Sequence, residues 1–99
     1  MHVSDEHLRG RTVIAADGQA IGEVAALVID PAAWTIVTLQ VKLNKMAAEQ
    51  LGASHGLLRA ATIELPVKVV QSVGDAVLLS LPTQELRQTI AATANENEA

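Results

Sequence analysis

The first ordered stretch of the hydrophobic pattern is Thr12-Val13-Ile14, a β-branched run that stops at Asp17-Gly18. An Asp-Gly pair between two apolar runs predicts a hairpin, because glycine takes positive φ at no steric cost. The second strand is predicted from about Gln19 to Ile29. Ile21, Glu23, Ala25, Leu27 and Ile29 fall on one side of it, and Gly22, Val24, Ala26 and Val28 on the other. Beyond Glu23 both sides are apolar, which asks for cover on both faces. A C-terminal helix or a second subunit is the expected cover.

Asp30-Pro31 ends this strand, since proline fixes φ and has no backbone donor. A third strand is predicted from Trp34 to about Leu43. Val37, Leu39, Val41 and Leu43 form its core side, and Trp34, Ile36, Thr38, Gln40 and Lys42 the other. Asn44–Leu51 is a run of helix formers with Asn44 as N-cap and Gly52 as C-cap. A fourth strand is expected from about Leu57 to Leu65, broken by Pro66. Val67, Val70 and Val73 repeat at i, i+3, i+6 and predict one helical turn. Gly74-Asp75 makes a further turn, and Ala76–Leu81 a fifth strand. Pro82 then opens a C-terminal helix over about Thr83–Thr93, with Leu86 and Ile90 one turn apart on one face. The expected organisation is a flexible segment over 1–10, one domain over 11–93 and a disordered tail over 94–99.

Composition sharpens this picture. Of 99 residues, 49% are apolar and 1% aromatic, Trp34 being the sole aromatic residue. The core must be aliphatic. A mean hydropathy of +0.28 is high for so small a chain and suggests apolar surface left for a partner, a homodimer or larger oligomer being the simplest. A net charge of −4 with dispersed Lys and Arg argues against direct nucleic-acid binding, which needs a basic face. With no cysteine, disulfides, thiolate catalysis and thiolate metal sites are excluded. The polar N-terminus is expected to be neither a signal nor a transit peptide. No apolar run approaches the ~20 residues of a membrane helix, so a cytoplasmic location is the expectation.

Candidate chemistry is sparse. Asp17 and Asp30 suit bonds to their own turn backbones. Glu23 is expected to pair with Arg11 across the first hairpin. His2 and His7 lie in the polar terminus, and Ser54-His55 adjacency in a loop is not a catalytic arrangement. We therefore assign no catalytic residue, no cofactor and no metal. Trp34, following a turn, is either core or subunit contact, or a docking anchor.

The order of motifs resembles the PRC-barrel domain, found in the H subunit of photosynthetic reaction centres and in ribosome-maturation factors. The resemblance rests on Leu8-Arg9-Gly10-Arg11-Thr12-Val13, on Asp17-Gly18-Gln19-Ala20-Ile21-Gly22-Glu23-Val24 and on Leu27-Val28-Ile29-Asp30-Pro31. It continues in the late run from Leu65-Pro66-Val67 to Asp75-Ala76-Val77-Leu78-Leu79. The Ala-rich insert at Asn44–Gly56 departs from the short loop usual there. The resemblance implies an all-β fold, a small and mainly antiparallel barrel with a short helical insert and a C-terminal helix, used for docking or assembly without shared catalytic residues. The expected function is a non-enzymatic, self-associating interaction module, with Trp34, Ile36, Val28, Leu86 and Ile90 as contact residues. It could also serve within a larger protein assembly. Two alternatives are a small-molecule regulator with a pocket lined by Trp34, Ile36 and the Asn44–Gly56 insert, and a ribosome or RNA-processing accessory factor.

Overall fold

A computed structural model describes residues 3–50, 62–86 and 88. Six strands form one sheet: β1 (Thr12–Ile14), β2 (Ala20–Asp30), β3 (Thr35–Leu43), β4 (Thr62–Pro66), β5 (Val70–Val73) and β6 (Val77–Leu79). Their spatial order is β4-β3-β2-β1-β6-β5. All neighbours are antiparallel except β1 and β6, which run parallel. The two outer strands of that order, β4 and β5, are joined only by a 3-10 turn, Val67–Val69. So short a link brings the sheet's two ends together, and the sheet curls into a barrel.

The barrel interior is aliphatic, as the composition requires. Val13, Ile21, Val41, Leu65, Val77 and Leu86 are fully or almost fully buried, with Val24, Leu39 and Leu79 beside them. Helix α1 (Asp5–Leu8) lies ahead of the first strand, where the sequence suggests a flexible segment. Ser4 caps it, its Oγ accepting from the His7 amide at 3.3 Å, and Leu8 packs against the core. Helix α2 (Lys45–Gln50) is the expected insert, and the Ala47 amide donates to Asn44 Oδ1 at 2.7 Å, the predicted cap. The remainder of the insert, with Gly52 and His55, lies outside the described residues, as does the predicted strand portion 57–61.

Two corrections concern the late and early strands. Residues 70–73, read as part of a helical turn, form strand β5. Val70 and Val73 face Leu79 and Val77 across an antiparallel pair, so their spacing of three comes from a register shift around Gln71 rather than from a helix. Arg11 does not pair with Glu23, which stands opposite Thr12. Instead Arg11 Nε donates to the His7 carbonyl at 2.6 Å and its Nη1 to the Gly74 carbonyl, tying α1 to the β5–β6 turn. The C-terminal helix is described only over residues 83–86 and 88. Thr83 hydroxyl lies 3.2 Å from both Asp17 Oδ1 and Gln19 Oε1, which anchors that helix on the first hairpin.

Gly22 fixes how β2 meets β3. The pairing of β2 with β1 skips Ile21, a bulge that puts Gly22 opposite buried Val13 and Leu43. A Cβ on Gly22 would lie 2.1 Å from the Lys42 carbonyl oxygen, a backbone atom that cannot swing aside. Gly22→Ala is therefore expected to cost about 2–3 kcal/mol through forced backbone shifts. Urea unfolding of the two proteins measures it; a loss under about 0.5 kcal/mol, the scale of a neutral surface change, would contradict the close approach.

Candidate interaction surface

β2 and β3 outrun the strands beside them. Pairing of β1 with β2 stops at Glu23, followed by the Val24 amide on the Arg11 carbonyl at 2.9 Å and the Gly10 amide on the Val24 carbonyl at 2.8 Å. Pairing of β3 with β4 stops at Thr38 opposite Pro66. Among the described residues, 25–37 thus form a two-stranded arm with no ladder partner on its outer edges.

The arm ends in a tight turn. The Ala32 amide donates to Asp30 Oδ1 at 2.9 Å, the role read for Asp30 from sequence. The Trp34 amide donates to the Asp30 carbonyl at 2.7 Å. Closing this loop puts Trp34 at φ +55°, in the left-handed region. That conformation costs an ordinary L-residue about 1–2 kcal/mol, and glycine or asparagine usually occupies it. Trp34 is moreover 80% exposed, so it belongs to no core.

Pairing also corrects the face of Ile36. Leu27 faces buried Leu39, Val28 faces Thr38, and Ile29 faces Ile36, so Val37 is skipped as a bulge. Ile29 lies two residues from Leu27 with no bulge between them on β2, hence on the same side. Ile36, opposite Ile29, joins the core-side row rather than the Thr38, Gln40 and Lys42 row. Here the row has left the barrel: Ile29 is 50% exposed, Val37 40% and Ile36 38%. Val67, on the 3-10 turn that packs against β3, is 39% exposed. Asp30 is the only ionisable side chain between residues 24 and 41.

The other residues read as contacts fall elsewhere. Val28 is half-buried on the arm's opposite side. Leu86 is fully buried inside the barrel and offers nothing to a partner. Ile90 lies outside the described residues. The pocket expected at Trp34, Ile36 and the Asn44–Gly56 insert includes residues 51–56, which lie outside the described residues. Among the described residues, a shallow groove of about 320 Å³ is lined by Thr12, Ala20, Gly22, Glu23, Lys42, Leu43 and Asn44. His7 Nδ1 is 2.9 Å from Ser4 Oγ, a local helix-end contact. Among the described residues no three His, Asp or Glu side chains converge to hold a metal. None of the described helices is long and apolar enough to cross a membrane.

A model of the PRC-barrel domain matches residues 2–86. The chain belongs to the PRC-barrel family. A solved structure similar to this PRC barrel is the 16S ribosomal RNA processing protein RimM of Pseudomonas aeruginosa, at 21% identity and a TM-score of 0.52. The match covers 78% of this chain and 42% of that one, so this barrel corresponds to less than half of RimM. At that identity the likeness establishes fold. No curated protein sequence matches the chain.

The strain at Trp34 makes a prediction with an unusual sign. Trp34→Gly removes a left-handed penalty of about 1–2 kcal/mol and adds about 0.5–1 kcal/mol of unfolded-chain entropy. Little burial is lost. The variant should therefore gain about 0.5–1 kcal/mol in stability, measured by denaturant unfolding at low protein concentration. Destabilisation by more than about 1 kcal/mol, the scale of a lost packing contact, would show that Trp34 packs into the fold.

Proposed function

We propose that this PRC barrel is a non-enzymatic docking module whose contact element is the β2–β3 arm. One observation carries the reading: the chain's sole aromatic side chain stands 80% exposed on a strained backbone at the tip of an arm with apolar, half-exposed sides. Strain of this kind is retained where it serves a site. Exposed tryptophan flanked by aliphatics is the composition of a binding hot spot. The likeness to RimM favours a place beside a larger assembly, with ribosome maturation as the specific candidate. The −4 charge favours docking on protein over direct contact with RNA.

Density-gradient sedimentation of lysate from cells making the chain tests this. The wild type should travel with material far heavier than a 10.4 kDa protein, and Trp34→Ala should shift toward the light fractions while remaining folded. Identical profiles for both would contradict the arm's role. The same proteins should be inert in broad hydrolase and oxidoreductase screens. Reproducible turnover abolished by Glu23→Gln would instead make the groove a catalytic site.

A further inference from the structure

We infer that the arm's partner is a second copy of this chain, the two arms pairing edge to edge and antiparallel about a two-fold axis at Ile36. The inference rests on the docking reading above and names the arm's occupant; the pair of barrels, not a single barrel, is then what meets a larger assembly, so a variant that loses the arm contact loses both.

The first support is the shape of the free edge. Among the described residues, 35–37 of β3 have no ladder partner on their outer edge past the Thr38–Pro66 pair. An antiparallel pair is self-complementary under a two-fold axis, so one strand edge can serve both copies. The β2 side of the arm is less available. It carries a bulge at Ala25, and α1 and Gly10 sit against its base. Centring the axis on Ile36 sets Thr35 opposite Val37 of the other copy, and the new pairing stops there because that copy's Thr38 is already paired with its own Pro66. Each Trp34 then arrives at the end of the other copy's β4, where Pro66 and half-exposed Val67 stand. The exposure of Trp34 and that of Val67 have one explanation.

The second support is charge. Each copy carries −4, so two copies repel over most of their surface. Between residues 24 and 41 only Asp30 is ionisable, which makes the arm the stretch where copies meet with least repulsion. Natural monomers guard such an edge with lysine, an inward charge, proline or a bulge, and of these 35–37 carries only the bulge at Val37, with no charge and no proline.

The third support is area. A standard interface takes about 800 Å² from each partner, about 65% of it apolar in homodimers, hence about 500 Å² of apolar surface per copy. At their exposures Trp34, Ile36, Val37 and Val67 together present most of that amount, Trp34 alone supplying about 200 Å².

Sedimentation equilibrium of the full chain from nanomolar to hundred-micromolar concentration tests the inference, with tryptophan emission as a second readout from the sole aromatic residue. The wild type should pass from 10.4 kDa to twice that mass, its emission shifting blue in step. Ile36→Glu and Ile36→Lys each place like charges across the axis and should each weaken association about 100-fold or more. Mixed together, the two variants should associate again, because position 36 meets itself. Trp34→Gly, at a position that tolerates change, should also stay monomeric while folding normally. A wild type monomeric throughout would overturn the second copy as occupant, while the gradient experiment would still judge the docking reading. A dimer that survives Ile36→Glu, or a mixture that does not re-form, would overturn the arm seam or its two-fold register.

Discussion

The barrel is built from strands of unequal length, and that mismatch shapes everything outside its core. β2 runs for 11 residues and β3 for nine, while β1 and β6 have three each. Short neighbours can pair only part of a long hairpin. The 3-10 turn between β4 and β5 sets the barrel's girth, so the surplus of β2 and β3 has to project. Gly22 sits where the hairpin is gripped, allowing the backbones to approach more closely than any side chain would permit. Core burial and arm projection follow from the same two strands.

Projection leaves apolar side chains uncovered at a free-energy cost, and the turn adds conformational strain at Trp34. Neither benefits an isolated barrel. Both become useful if the arm is covered by another chain, since burying tryptophan recovers more than the left-handed penalty removes. The absence of ionisable groups over 31–41 fits the same reading, because desolvating charge is what makes most acidic surfaces poor interfaces.

Much of this was legible in the sequence. Asp17-Gly18 marked the first hairpin, Asp30-Pro31 the arm's turn and Asn44 the cap of α2, because each signal is a local hydrogen bond or an allowed φ. The both-faced apolarity of β2 asks for cover on both faces, the expectation that the arm reading takes up. What the pattern could not reveal was register. A bulge at Val37 moves Ile36 to the other row, and nothing in Thr35-Ile36-Val37-Thr38 announces it. Leu86 illustrates the opposite ambiguity: an amphipathic helix stripe looks alike whether it seals its own barrel or a neighbour's, and here it seals its own. Val70 and Val73 misled because a spacing of three suits a bulged strand as well as a helical turn.

Amide hydrogen exchange, resolved by residue and followed against protein concentration, tests the central claim most directly. Residues 39–43 lie between two paired strands and should exchange slowly at every concentration. Within 35–37, which pairs with β2 on one side only, the amides that point away from β2 should in dilute solution exchange far faster than these, and should slow progressively as concentration rises and the edge is covered. Outward amides of 35–37 that are already highly protected in dilute solution, or that stay unprotected up to the highest concentration, would contradict the account.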